Sequence, residues 1–578
     1  MVNITLNGMA LQVEAGTTIL DVATAHGIKI PTLCHLNMPH MNMVNNVGSC
    51  RVCMVEVAGR ASLAPACVTT VWEGADIRTN TPRAIQARRT VVELILSNHP
   101  KDCLTCQRNK KCELQNLAAA LNIQVDNYGG KTAHHTKDAS SRSIVRDSTK
   151  CVMCRRCETM CNHVQTVGVY SGTHRSFESV VSTAFDYPML DTDCTFCGQC
   201  ISVCPTAALS QANHIREVWD AIHDLEKVVV VQTAPAVRVS LGEEFGRPAG
   251  TSVTGQMVAA LRRMGFDYVY DTHFAADLTI MEEATELIHR MQHGGTLPIL
   301  TSCCPAWVKF IEHQFPELLG IPSTCKSPHQ MFGVIAKTYL AQKLGIDPGK
   351  MVVVSVMPCV AKKYEATREE LANDGHADVD YVITTREMAA MLREACIDFN
   401  HLPEEDFDAL MGESTGAAAI FGRTGGVVEA AVRTAVFQLT GQNPPSLDFT
   451  ELRGEAGLRE AIVPIGDLNL HIGIAHGLGN ARTLLENIRD GKSKYHAIEI
   501  MACPGGCVGG GGQPYHGNNS HVIKARAEGL NGVDKNKTLR CSHENTEVQA
   551  LYEAFLGHPG SEKAHALLHT EYVKRHKG

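Results

Sequence analysis

Fifteen of the 23 cysteines in this 578-residue chain fall before residue 205, in four consecutive clusters, and five more sit in three short segments of the long region that follows. Thiolates are soft donors suited to iron and zinc, and so many closely spaced cysteines in a large chain point to metal binding, not to disulfides. The first cluster, Cys34, Cys50, Cys53 and Cys67, is spaced C-x15-C-x2-C-x13-C. Four thiolates close a 2Fe-2S centre, and Gly48 just before the central pair suits a loop wrapping it; structural zinc is the competing use. The second cluster, His99-x3-Cys103-x2-Cys106-x5-Cys112, could hold zinc or a 4Fe-4S centre. Its place between two other cluster-binding segments favours 4Fe-4S, and a neutral histidine in place of an anionic thiolate would raise its potential.

The third and fourth clusters form an internal duplication with a period of 43 residues: Cys151, Cys154, Cys157 and Cys161, then Cys194, Cys197, Cys200 and Cys204 followed by Pro205. In the bacterial two-cluster ferredoxin pattern the fourth cysteine of each run ligates the other cluster. Cys151, Cys154, Cys157 and Cys204 are therefore assigned to one 4Fe-4S centre, and Cys194, Cys197, Cys200 and Cys161 to another. Asn162 stands where the pattern prefers proline, which leaves the ligand count intact.

The elements that must position these groups can be read from periodicity. Residues 2–6 and 11–13 predict a hairpin through Asn7-Gly8, and 18–26 have helical spacing, as in a β-grasp domain. A helix is predicted over 82–97, and 124–146, rich in Lys, His, Ser and Gly, reads as a linker. Beyond it the texture becomes α/β, with buried strands expected at 228–231, 297–300, 352–356 and 498–502. Three of these run straight into cysteine-bearing loops: TSCCPAW at 301–307, MPCVAKKYE at 357–365 and EIMACPGGCVGGGGQP at 499–514. Loops beyond strand C-termini are where open α/β sheets place their sites. The fold class expected is multidomain α+β and α/β. It comprises a 2Fe-2S domain (1–78), a histidine-ligated 4Fe-4S segment with linker (79–140), a two 4Fe-4S ferredoxin domain (141–210) and a catalytic α/β domain (211–578).

A formal charge of −8 with 20% charged residues favours neither nucleic acid nor an anionic membrane as partner. The exception is 78–111, locally basic and suited to docking a protein. No run of 18 apolar residues occurs, and the N-terminal MVNITLNGMA lacks a charged region followed by an apolar one, so a cytoplasmic location is expected.

The three cysteine-bearing loops resemble the signatures of FeFe hydrogenases, and the order of domains resembles the large multi-cluster members over essentially the whole chain. The resemblance implies an H-cluster, a 4Fe-4S cluster joined through one cysteine to a di-iron unit bearing carbon monoxide, cyanide and an azadithiolate bridge. It implies Cys304, Cys359, Cys503 and Cys507 as ligands, with Cys507 the bridge. Lys362 matches the lysine that hydrogen-bonds a cyanide, a charge-assisted contact from a compact donor. Met357 and Met501 match methionines packed around the di-iron unit, and core filling is true of them at the same time. Ala234, Pro235, Ala236, Pro358 and Phe421 resemble further pocket walls. Glycines at 505–512 would let the backbone approach so bulky a cofactor.

Hydrogen chemistry needs a proton path and an electron path. The resemblance implies Cys303, a thiol that is not a ligand, as the last proton donor; an ordinary thiol pKa of about 8.5 lies near working pH. Glu283 and Glu286 fall three apart on a predicted helix, hence on one side of it. By themselves they read as a solvated face; with the resemblance they read as a relay, linked to Cys303 by Ser323 and anchored by Arg290 through an i,i+4 ion pair. Electrons would pass along one 2Fe-2S and three accessory 4Fe-4S clusters, carriers whose plant-type relatives lie near roughly −400 mV. Cys325, Cys396 and Cys541 are left over and expected to be small buried hydrophobes. At Cys325 and His329 the family often has alanine and glutamine.

The segment SNHPKDCLTCQRNKKCELQNLA at 97–118 is similar to that of subunits in NAD-linked electron-transfer complexes. This implies docking to a flavin and NAD(P)-binding subunit and to small iron-sulfur subunits, with ferredoxin a further carrier. The chain has no G-x-G-x-x-G between a strand and a helix, so no nucleotide site is assigned to it. The reading is the catalytic subunit of an NADP-linked FeFe hydrogenase of the kind able to bifurcate electrons, with H2 and protons as substrates. A stand-alone ferredoxin-dependent enzyme is the alternative. Sensory homologues tend to lose the donor cysteine, and assembly homologues have no need of Lys362, so both stand further off.

Overall fold

The computed structural model describes residues 1–125, 127–465 and 468–575. Residue 126, inside the expected linker, and 576–578, at the end of the expected catalytic region, lie outside the described residues.

Strands β1 (Val2–Leu6) and β2 (Met9–Val13) pair antiparallel across Asn7 and Gly8, whose φ of 49° and 86° the two-residue turn requires. Helix α1 (Ile19–Ala25) starts at Thr18, whose hydroxyl accepts from the Asp21 amide. Strands β3 (Met54–Val57), β4 (Ala64–Pro65) and β5 (Asp76–Arg78) complete a sheet in the order β2-β1-β5-β3-β4, with β1 and β5 parallel. This is the β-grasp arrangement, closed over Leu6, Ile19, Val55 and Ile77. Helix α2 (Pro82–Asn98) begins with proline behind a Thr81 cap and ends at His99. One charge of the expected docking face is committed elsewhere: Arg88 is buried, and its Nε donates to the Met54 carbonyl at 2.9 Å.

The linker expected to reach residue 146 ends sooner. Lys137–Asp138 pairs with β6 (Ile144–Asp147), and β6 pairs with β7 (Leu209–Gln211), so the duplicated cysteine region is closed by its own flanks. Composition hid β6 because a core-facing position is filled by Arg146, whose Nη1 donates to the Ser182 and Thr183 hydroxyls at 2.7 and 2.8 Å.

The remaining region supplies β8 (Val228–Thr233), β9 (Tyr268–Asp271), α3 (Thr272–His293), β10 (Ile299–Leu300), α4 (Pro305–Gln314), β11 (Met351–Met357), β12 (Tyr381–Thr384), β13 (Leu458–Ile465), β14 (Leu468–His476) and β15 (Ala497–Met501). They form two four-stranded sheets. One, β9-β8-β11-β12, is parallel throughout; the other, β10-β15-β14-β13, is parallel except for β13. The four apolar runs correspond to β8, β10, β11 and β15, and β11 is buried along its whole length, as a strand covered on both faces must be. Strand β13 escaped notice because every second residue from Glu460 to Pro464 is exposed, which dilutes the apolar signal. The architecture is multidomain, α+β in the cysteine-rich third and α/β beyond. Among the described residues, no helix is long and apolar enough to cross a membrane.

Candidate active site

Loops leaving β8, β10, β11 and β15 line one cavity. Cys304, Cys359, Cys503 and Cys507 all line it, with Cys303, Lys362, Ala234, Pro235, Ala236, Met357, Pro358, Phe421 and Met501. Cys304 is the residue before α4, and its sulfur accepts from the Ala502 amide at 3.5 Å, which ties the β10 loop to the β15 loop. Burial raises all four thiols, Cys359 to about 12, so each keeps its proton unless a cation displaces it. Four such thiols at one cavity form a donor set for a soft metal.

The glycines after Cys507 serve backbone packing. A Cβ on Gly510 would lie 2.2 Å from the Pro358 carbonyl oxygen, and one on Gly511 would lie 2.7 Å from the Cα of Gly198, between Cys197 and Cys200. Gly198 returns the constraint: its own Cβ would fall 2.5 Å from Val360 and 3.1 Å from the Gly511 Cα. What these glycines permit here is an approach of backbone to backbone, bringing the ferredoxin-like region against the cavity loops.

Lys362 is held at the cavity wall by three acceptors. Its Nζ donates to Glu365 Oε2 at 2.7 Å, to Ser327 Oγ at 2.8 Å and to the Cys303 carbonyl at 3.1 Å. Burial works against a charge on Glu365, but Lys362 and His329 hold it down at about 2. His329 Nδ1 lies 2.8 Å from the same carboxylate oxygen, while Nε2, in a ring only 1% exposed, has no partner. Burial lowers its pKa, so the ring is neutral, donating through Nδ1 and presenting a lone pair at Nε2. Glu365 and Ser327 were not foreseen; the signal available was Glu365 at i+3 from Lys362 on the short helix Ala361–Glu365.

The two glutamates expected to share a helix face do so on α3, in the interior. Glu283 is 5% exposed, its Oε1 has no partner, and burial followed by the neighbouring Glu286 pushes its pKa to about 8. Glu286 accepts from Arg290 at 2.5 Å, the i,i+4 pair expected, and from the Ser323 hydroxyl at 2.7 Å. Arg290 also donates to the Ile321 carbonyl at 2.8 Å. The Cys303 thiol is raised well above its ordinary range by burial and then by Glu283.

Of the three leftover cysteines, Cys325 and Cys541 are buried as expected, and Cys396 is not. It follows the helix Thr385–Glu394 in a left-handed turn at φ 53°, which leaves it at the surface.

Three of the four remaining cysteine sets have members close together. Cys53 Sγ lies 3.4 Å from Cys67 Sγ, and Cys34 is in hydrogen-bonding contact with Cys50 and Cys67. Cys151, Cys154, Cys157 and Cys204 line one cavity. Cys194, Cys197 and Cys161 all bear electrostatically on Cys200. His99 is lowered to about 4 by burial and by Lys150, and its Nδ1 has no partner; Lys150 also reaches Cys106 Sγ at 3.9 Å.

The description "Iron only hydrogenase large subunit, C-terminal domain" matches residues 227–511, and "Iron hydrogenase small subunit" matches 520–575. "2Fe-2S iron-sulfur cluster binding domain" matches 1–82, "NADH-ubiquinone oxidoreductase-G iron-sulfur binding region" 88–126, and "4Fe-4S binding domain" 190–210. The chain is 56% identical over 584 residues to NADP-reducing hydrogenase subunit HndD of Solidesulfovibrio fructosivorans, covering 100% of each. It is 38% identical over 579 residues to iron hydrogenase 1 of Clostridium pasteurianum, covering 99% of this chain and 100% of that one. Among solved structures it resembles apo FeFe hydrogenase HydA1 of Chlamydomonas reinhardtii, with a TM-score of 0.57, 40% identity and coverage of 63% of this chain and 99% of that chain. End-to-end identity at these levels, over a chain whose cysteine loops meet at one cavity, places the protein in the FeFe hydrogenase family: it is a hydrogenase with an H-cluster domain and 2Fe-2S and 4Fe-4S binding domains.

Proposed function

We propose that this hydrogenase is the catalytic subunit of a multi-subunit, NADP-linked complex, exchanging electrons between H2 and a flavoprotein partner through one 2Fe-2S and three accessory 4Fe-4S clusters. The observation that carries the reading is the convergence of Cys304, Cys359, Cys503 and Cys507 on a single cavity beside Lys362. The residues fit an H-cluster: four soft donors, a fixed cation, and one buried polar atom of the lining without a partner, His329 Nε2. In this reading those four cysteines would hold it, Cys507 being the one shared with the di-iron unit, and the accessory ligand sets and the division at 78, 140 and 210 would be as the spacing implies. The link to NADP is supported by the name of the HndD relative and by the match of 88–126 to an NADH-oxidoreductase region.

When bound, the H-cluster supplies the open metal position at which H2 is formed or split. The chain supplies the rest. Lys362, fixed by Glu365 and Ser327, is a point charge for an anionic ligand of the cofactor. Cys303 holds a proton at the cavity edge. Glu283, neutral at pH 7 with its pKa near 8, exchanges protons with it, and Ser323 and Glu286 carry them outward, with Arg290 anchoring Glu286 by its ion pair. Ala234, Pro235, Ala236, Met357, Pro358, Phe421 and Met501 keep the cavity wall apolar and water out. Infrared spectroscopy of matured protein tests the site: cyanide and carbonyl bands are expected, and their absence after maturation overturns it. Co-purification tests the complex: a flavin-containing subunit is expected, and a chain that always isolates alone and reacts only with ferredoxin overturns it.

A further inference from the structure

We propose that Cys325, His569 and Glu286 form a binding site for a soft divalent cation, Zn2+ or Cd2+, at the outer end of the candidate proton path. One donor atom from each lies within 4.8 Å of the others. Two of the three are held by backbone. Cys325 and His569 form an antiparallel bridge, flanked by hydrogen bonds from Lys326 N to the Leu568 carbonyl at 2.7 Å and from Thr570 N to the Thr324 carbonyl at 2.8 Å. Residues directly opposite in an antiparallel pair project side chains to one face, so thiol and imidazole are neighbours by construction. Glu286 reaches them from α3, and the Cys325 thiol directs its hydrogen at Glu286 Oε2 over 3.8 Å.

The surroundings are those of a built site. Cys325 is 1% exposed, and the side chains of Glu286 and His569 are 14% and 6% exposed. His569 Nε2 lies 3.1 Å from Glu282, whose carboxylate is itself fixed by the Tyr552 hydroxyl at 2.5 Å and the Gly560 amide at 2.9 Å. With Nε2–H given to Glu282, Nδ1 is the metal donor, replacing its 2.7 Å contact with the Thr324 hydroxyl. This is the carboxylate–histidine–metal arrangement that orients imidazole ligands. Metal binding exchanges the Cys325 thiol proton, released to solvent, for a bond to sulfur. Glu286 then accepts the cation on Oε2 while Oε1 keeps Arg290. One sulfur, one nitrogen and one oxygen, with a position left for water, select zinc or cadmium over magnesium or calcium. The charge balance favours a cation too, because the Glu286 and Glu282 carboxylates both bear on Cys325.

A second consequence rests on the proton-path reading: Glu286 bound to a cation cannot exchange protons, so Zn2+ inhibits turnover. The test uses the intact holoenzyme with its full iron content, given one equivalent of Zn2+ and desalted. About one zinc is expected to remain, with a sulfur neighbour at about 2.3 Å in zinc-edge X-ray absorption. In C325A that sulfur neighbour disappears and affinity falls at least tenfold, and H569N weakens binding likewise. A zinc shell of only nitrogen and oxygen in the parent, or a sulfur neighbour that survives in C325A, overturns the site. Dye-linked H2 oxidation is then measured with and without Zn2+. Inhibition in the parent and its relief in C325A support both readings, whereas sulfur-bound zinc with unchanged turnover upholds the site and removes Glu286 from the proton path.

Discussion

Lys362 donates to the backbone carbonyl of Cys303 at 3.1 Å, so a single contact ties the cation at the cavity wall to the main chain of the residue whose thiol is proposed for proton delivery. Replacing Lys362 by methionine removes that contact and leaves Glu365 a buried carboxylate facing only His329. Breaking a buried pair in this way costs about 3–5 kcal/mol. K362M is expected to melt several degrees below the parent, and K362R to regain stability without restoring the cofactor environment seen by infrared. A K362M protein that melts with the parent would show that the pair does not hold the wall.

Cys303 is not among the four thiols assigned to the metal, so its loss should separate chemistry from assembly. C303A is expected to lose at least about 100-fold in turnover while keeping iron content and cyanide and carbonyl bands. Activity near the parent's takes Cys303 out of the proton path.

Glu283 makes a pH signature. Its pKa of about 8 in the folded protein stands above the ordinary 4.5, so between those values the folded chain holds a proton that the unfolded chain has released. Stability from this group therefore falls as pH rises from about 4.5 to 8, and is level above. E283Q lacks the slope and is expected to gain on the parent between pH 5 and pH 8 in denaturant unfolding, while losing turnover. Parallel stability curves for the two proteins would contradict the buried, proton-holding carboxyl.

His99 tests the electron path. Its unpartnered Nδ1 lies in the segment carrying Cys103, Cys106 and Cys112, far along the chain from the catalytic loops. H99A is expected to slow reduction by the partner subunits more than dye-linked activity. Equal losses in the two assays would rule out a purely relaying role.

What could be read from the chain was what is local. The cysteine runs stand out by their spacing, and the parallel strands β8, β11 and β15 announce themselves as apolar runs because both their faces are covered. What resisted reading was contact across long separations or polar residues doing core work. Thr324 and His569, 245 positions apart, meet through a tail that has no pattern of its own. Arg146 occupies a core position in β6, and Glu365 is legible as Lys362's partner only once the two are known to share a short helix. The glutamates of α3 show the opposite case: periodicity placed them together, but only tertiary packing decides whether that side meets water.

Gly198 and Gly511 touch main chain to main chain, with no room for a methyl on either. Electron tunnelling fades steeply with separation, so on the proposed electron route a methyl at either glycine, by forcing the two loops apart, is expected to slow the delivery of charge to the pocket.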